Sequence, residues 1–377
     1  MPNLPPLTER SVSPSLLALA IKVAGDHPDS ERVRAYVVQA HLLLSSAEVG
    51  SRRFSEALRY LDGAESWGAP PADIATYRAV IYGHLERWEL AERWARAAIA
   101  YGSDESAEMH HLIGKAHYFR EELDKAVEAF EKALAIGEDP RYRASLEAAL
   151  RDARTASSFD QKRLSHFIVS YEGETMEDTG RLVLDTMERS YAALVSQLGF
   201  EPSQPVVVLL YSRRSYTEMG GPHWSAGYYD GKIRIPVQGL SSLDGPIRST
   251  LHHELAHAFI HVRAGTNAPR WLHEGLAQYV EGASDARQGS MLAKQIRDGK
   301  TFESCLVTTR CDVRLFYPAS SSIVDYLIRL RGMGGVRDLL GQLGEGDDID
   351  SALRRITGKD QYDLIREWQH FLKRRHS

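Results

Sequence analysis

The 377-residue sequence has only two cysteines, Cys305 and Cys311. That excludes a cysteine-rich zinc ribbon and a disulfide framework. Basic charge is not in excess: Lys and Arg total 46 against 51 Asp and Glu, a formal net charge of −5. No nucleic-acid partner is expected, because gripping a phosphate backbone takes a basic surface. No apolar run reaches the length of about 20 residues that a bilayer-spanning helix needs, so no membrane span is expected. The opening MPNLPPLTER holds three prolines and a glutamate. The Leu16–Ala24 run behind it is broken by Lys22 and has no Lys/Arg-rich stretch directly before it. A secretory signal reads differently. The expectation is a cytoplasmic protein, or an exported or periplasmic one whose leader lies outside this sequence.

What is present is ordinary globular composition, 43% hydrophobic and 26% charged, which excludes a mainly disordered chain. The length predicts two or three domains with a large core. Fifteen histidines against two cysteines turn any metal chemistry towards imidazole and carboxylate.

The first third repeats. Ala57 and Ala64 correspond to Ala91 and Ala98 and then to Ala126 and Ala133. The units are offset by 34 and 35 residues (91 − 57 and 126 − 91). A spacing of seven puts each alanine pair on one helix face, where small side chains let neighbouring helices approach closely. Ile113-Gly114 on a first helix, Ala126, Phe130 and Ala133 on a second, and Pro140 just after it make the third unit the clearest. This pattern resembles the tetratricopeptide repeat, although Ser45 and Ala79 stand where the third unit has Gly114. The resemblance implies a concave surface that takes a protein or peptide partner. A helical bundle without a partner is the plainer reading.

Residues 1–30 read as an N-terminal segment with a short helix, 31–158 as the repeat domain, and 160–377 as a separate α+β domain. Arg141–Ser158 reads as a closing helix. His166–Tyr171 predicts a strand, Thr179–Leu198 a long amphipathic helix, and Val206–Tyr211 (VVVLLY) a buried strand. Asp230-Gly231 inside Trp224–Pro236 predicts a hairpin. The sheet-containing part is thus 160–240, and 245–377 reads as helices.

Chemistry concentrates at His253-Glu254-Leu255-Ala256-His257, an HExxH pattern on a predicted helix from Ile247 to Val262. Positions i and i+4 lie one above the other, so two imidazoles can grip one cation. Glu254 is turned away by roughly 100° around a helix of about 3.6 residues per turn. It can then act as a base beside the ion without ligating it. Catalytic zinc usually takes three protein ligands. Glu274, in Trp271-Leu272-His273-Glu274-Gly275-Leu276-Ala277, follows His257 by 17 residues (274 − 257), enough chain to end one helix near Gly265 and return on another.

HExxH followed by W-L-x-E-G-L-A resembles the gluzincin metallopeptidases of the thermolysin-like and peptidase MA-like kind, in which a tetratricopeptide domain often precedes the peptidase. The resemblance covers roughly residues 160–377. It implies a gluzincin (thermolysin-like) zincin catalytic domain with one Zn²⁺ held by His253, His257 and Glu274, and Glu254 as general base acting on water. The metzincin layout fails, since it wants glycine at Ile260 and histidine at Arg263. His252 and His273, each one position before a ligand, read as residues behind the ligands or on the surface. The resemblance also places an edge strand along the cleft, for which the 224–236 hairpin and Ala226-Gly227-Tyr228 are the candidates. Tyr317, ahead of a helix expected from Ile323 to Leu330, is the preferred oxyanion donor, with Tyr228, Tyr229 and His223 as others. An acidic group would be expected one helical turn past the third ligand, but Gln278 stands there. That leaves Glu281 or Asp285 as the acceptor behind a ligand histidine.

The implied activity is hydrolysis of peptide bonds in a peptide or protein substrate. Endopeptidase action is the default, because the Gly-x-Met-Glu-Asn signature of gluzincin aminopeptidases is absent and Met219-Gly220-Gly221 does not supply it. The alternative is a catalytically inactive zincin-fold scaffold acting through its repeats. Cys305 and Cys311 can close a small disulfide or stand as two thiols.

Overall fold

Alanines seven apart demand that another helix lie against them, and in the structure all six repeat alanines are fully buried. The structure is a computed structural model. It describes residues 4–8, 11–103, 106–156, 159–163, 166–172, 177–202, 204–218, 227–236, 245–282, 286–308 and 310–376. Two compact units divide the chain: 1–153 with 345–348, and 154–344 with 349–377.

The first unit is built from α1 (Pro14–Asp26), α2 (Glu31–Gly50), α3 (Phe54–Ser66), α4 (Pro71–His84), α5 (Trp88–Ala100), α6 (Ser106–Phe119), α7 (Leu123–Ile136) and α8 (Pro140–Ala156). The most extensive contacts are within the pairs α2/α3, α4/α5 and α6/α7. Gly114 is needed where it stands: a β-carbon there would lie 2.4 Å from the Phe130 ring. Ser45 fills the corresponding place on α2 by donating its buried hydroxyl to the Ala57 carbonyl at 3.0 Å. Each hairpin turns through a left-handed residue that is not glycine: Arg52 (φ 57°), Glu86 (φ 53°) and Glu121 (φ 61°). Each turn then closes with a backbone bond back into the preceding helix, Arg53 N–H to Glu48 O, Arg87 N–H to Tyr82 O, and Glu122 N–H to His117 O. These bonds satisfy carbonyls that a helix end leaves unpaired.

In the second unit a five-stranded sheet has the order β1 (Phe159–Arg163), β2 (Phe167–Glu172), β3 (Val206–Tyr211), β5 (Ile233–Pro236), β4 (Tyr228–Tyr229). β2, β3 and β5 run parallel, with Val169 beside Val208 and Val208 beside Ile233. β1 and β4 are antiparallel edges. The β4–β5 hairpin turns at Asp230-Gly231, where Gly231 takes φ 100°. Between the strands lie α9 (Glu177–Leu198) and the short α10 (Arg213–Glu218). The helical part follows: α11 (Gly245–Ala264), α12 (Arg270–Glu281), α13 (Ala286–Arg297), α14 (Glu303–Thr308), α15 (Val313–Glu345, broken at Gly332), α16 (Ile349–Thr357) and α17 (Gln361–Arg375).

α11 is the central helix of this unit. It packs on α9 through Phe259 against Tyr191, ring centroids 4.9 Å apart. It also packs on α12 and lies against β4 and β5. Trp271 of α12 is fully buried, and its indole N–H donates to Gln361 at 2.9 Å. α12 crosses α15 where Gly275 meets Ser320: a β-carbon on Gly275 would lie 2.2 Å from the Ser320 carbonyl oxygen. Alanine normally stabilises a helix by about 1 kcal/mol over glycine. Here the obstacle is backbone and cannot rotate away, so Gly275→Ala is expected to destabilise the unit by about 3 kcal/mol. A lowered urea midpoint with an unchanged slope would show this, and an unaltered midpoint would refute the crossing.

Element ends shift by one or two residues from the sequence reading at several places, α8, α9 and α11 among them, and one helix start moves much further. The first predicted strand starts one residue later, at Phe167. The helix expected from Ile323 begins at Val313 instead and carries both Tyr317 and Pro318 within it. Asp312 starts it, its side chain accepting from Arg314 N–H at 2.9 Å and its carbonyl from Phe316 N–H at 3.0 Å. Proline in a helix usually marks an end, but Pro318 lies inside α15, in its second turn, and the helix continues through it.

Candidate metal centre

The motif helix ends at Ala264, a single 3₁₀ turn covers Gly265–Asn267, and Pro269 leads into α12. This tight reversal returns Glu274 to the histidines. His253 Nε2 and His257 Nε2 are 3.1 Å apart. Glu274 Oε2 is 3.8 Å from the first and 3.6 Å from the second. All three donor atoms fall within 4.8 Å of one another, the one such group of three among the described residues. Tetrahedral zinc with bonds of about 2.0–2.1 Å would set its ligand atoms about 3.3 Å apart. The donor set therefore fits a zinc ion both by spacing and by type, two imidazoles and a carboxylate.

Each donor has a neighbour behind it. His253 Nδ1 meets Glu281 Oε2 at 3.0 Å, and Ser249 donates its hydroxyl to the other oxygen of Glu281. His257 Nδ1 meets His273 Nδ1 at 2.8 Å. The Arg270 guanidinium lies 4.0 Å from Glu274 Oε1 and 4.9 Å from the Phe316 ring centroid. Of the two acceptors the sequence left open, Glu281 takes the place beside His253; Asp285 lies outside the described residues. Ser249 was missed as a partner, although it sits one turn before His253 on the same helix, so helical spacing could have pointed to it. His252 turns away and donates to the Val280 carbonyl.

Glu254 is buried beside this group. Gly227 packs on its side chain, with the position of a Gly227 β-carbon 3.7 Å from Glu254 Cγ, and the Tyr229 amide of edge strand β4 donates to its carboxylate. Burial, then the charges of Glu274 and Glu281, push its carboxyl up to about 7 against the pull of His253 and the Tyr229 amide. A base works best with a pKa near the operating pH. Burial disfavours charge on His253, but hydrogen bonds to Glu274 and Glu281 and the charge of Glu254 outweigh it and raise its pKa to about 9. Burial and the neighbouring histidines push His257 down to about 2 and His273 to about 3, so both are neutral.

Tyr317 is half-buried on α15, its ring centroid 5.7 Å from that of Phe316. Among the described residues no hydrogen bond joins it to His253, His257 or Glu274. Tyr228 and Tyr229 lie on β4, with Tyr229 packed edge-on to His261 at 5.5 Å. His223 and Ala226 are outside the described residues. Cys305 and Cys311 are joined as a disulfide, Cα atoms 4.9 Å apart.

A mixed sheet whose edge hairpin abuts a helix carrying two facing histidines and a buried glutamate, with a second carboxylate returned to them, defines a metallopeptidase-like domain. The chain belongs to the peptidase MA superfamily, which matches residues 186–374. No curated protein matches it. The matched span begins within α9 and runs into α17, so it takes in the HExxH and W-L-x-E-G-L-A segments and leaves the helices α1–α8 outside. No helix among the described residues is long and apolar enough to cross a membrane.

Proposed function

We propose that the chain is a zinc-dependent metallopeptidase, and by default an endopeptidase. The carrying observation is that His253, His257 and Glu274 converge within 4.8 Å while Glu254 lies buried beside them, off the donor set. His253 Nε2, His257 Nε2 and Glu274 Oε2 would hold the ion. When bound, zinc would supply a Lewis acid that acidifies water and polarises a carbonyl. Glu254 takes the proton of the attacking water and hands it to the leaving amine. Glu281, braced by Ser249, keeps the His253 ring oriented. Strand β4 is the edge along which an extended peptide aligns, next to the base that its Tyr229 amide contacts. The Tyr317 hydroxyl donates to the developing oxyanion, while Glu254 handles the proton of the water. The helices of residues 31–158 act as tetratricopeptide-type repeats that bind a peptide or protein, substrate or partner.

The test is a cleavage profile on a mixed peptide library, with elemental analysis of the purified protein. One zinc per chain and cleavage abolished by a chelator and restored by zinc are expected. Stoichiometric zinc with no cleavage of any peptide would favour the inactive scaffold instead.

A further inference from the structure

A ligand histidine that binds an ion through Nε2 must carry its proton on Nδ1, and that N–H needs an acceptor if the ring is to stay in place. For His253 the acceptor is a carboxylate, Glu281. For His257 the one group at hydrogen-bond distance from Nδ1 among the described residues is another imidazole nitrogen, His273 Nδ1 at 2.8 Å. Two N–H groups cannot face each other at that distance, so one nitrogen must be bare. With His257 committed to the ion, the bare nitrogen is that of His273, which then carries its own proton on Nε2. The ring planes differ by 30° and the centroids lie 4.9 Å apart, so the two rings meet end-on through these nitrogens, as an in-plane hydrogen bond requires. His273 is held in turn by the first turn of α12, its amide bonded to the Pro269 carbonyl at 3.1 Å. It is also the residue directly before Glu274, so one short stretch of helix sets both the third donor and the orientation of the second.

We infer that His273 is a positioning residue: in its Nε2-protonated form its Nδ1 accepts the Nδ1–H of His257 and locks that ring with Nε2 facing the ion. This rests on the zinc reading above. The two histidine ligands are then backed unequally, one by an anion and one by a neutral ring. With an ion bound, His257 would donate less charge to it than His253 would.

The test uses three variants of the full chain. Asn places an amide oxygen close to where His273 Nδ1 stands, Gln carries the same group one bond too far out, and Leu has no acceptor. Zinc dissociation constants are measured by competition with a chromophoric chelator, and the cobalt-substituted absorption spectrum reads ligand geometry. Metal-free thermal melts check the fold. His273→Leu and His273→Gln are expected to weaken zinc about 10- to 100-fold and to shift the cobalt bands. His273→Asn should bind within about threefold of the parent, the size of ordinary variation between similar contacts. Equal affinity and spectra in all three would overturn the inference. So would losses in Asn and Leu alike that follow their metal-free melting temperatures, since that is packing alone. If the parent chain itself binds no zinc, the metal centre falls and His273 with it; if the parent binds and the variants match it, His273 alone falls.

Discussion

Glu254→Gln is expected to retain one zinc per chain and lose peptide hydrolysis by about 10²- to 10⁴-fold in kcat/KM, the range for removing a general base. The split is the informative part. Glu254 is not one of the three converging donors, so the ion should remain. Gln is the same size and its amide oxygen can still accept from the Tyr229 amide, so the edge strand should stay where it is. What is lost is a basic carboxylate, whose affinity for a proton the buried setting has raised to about 7. Elemental analysis beside steady-state kinetics on one cleavable peptide reads both halves. Cleavage at the parent rate would remove Glu254 from the mechanism.

Glu274→Ala is expected to do the opposite to the metal. It deletes one of three ligands, so zinc affinity should fall by more than the roughly 100-fold reached when only a group behind a ligand is removed. Activity should fall with it. The fold should survive, because the Glu274 side chain is 17% exposed and its neighbour Gly275, not Glu274, makes the close crossing with α15. Chelator competition gives the affinity, and far-ultraviolet circular dichroism checks the helices. A variant that held zinc as tightly as the parent would show that the carboxylate facing the two histidines is not a ligand. The two glutamates, 20 positions apart (274 − 254), would thus be told apart by whether the ion stays.

The parts of the second unit that bury a regular pattern were legible in the sequence. VVVLLY can only be a strand covered on both faces, and β3 occupies those six residues, all buried. The Asp230-Gly231 turn needs a positive φ that glycine supplies, and Gly231 has it. The fixed i, i+4 geometry of a helix brought the two histidines to within 3.1 Å of each other. Less legible was what depends on a neighbour rather than on period. β1, Phe-Asp-Gln-Lys-Arg, lacks an apolar run because it is an edge paired on one side only. The start of α15 was not legible because Pro318 interrupts the helical pattern inside it. The choice of Glu281 behind His253 depends on how α12 lies against α11, which no single-helix spacing fixes. That His273 meets His257, when the sequence left it either behind the ligands or on the surface, comes for the same reason from the reversal at 265–269.

The left-handed turns of the first unit carry a lesson about where its regularity resides. Arg52, Glu86 and Glu121 recur 34 and 35 residues apart (86 − 52 and 121 − 86) with φ angles within a few degrees of each other, although such a backbone costs a residue other than glycine about 1–2 kcal/mol. The chain accepts that penalty three times at one phase of its period, so the conformation belongs to the architecture and not to any individual loop. Side-chain identity is free to drift there while the backbone angle is not. Lengthening one hairpin by a single residue would disturb the alanine contacts of that helix pair and its immediate neighbours.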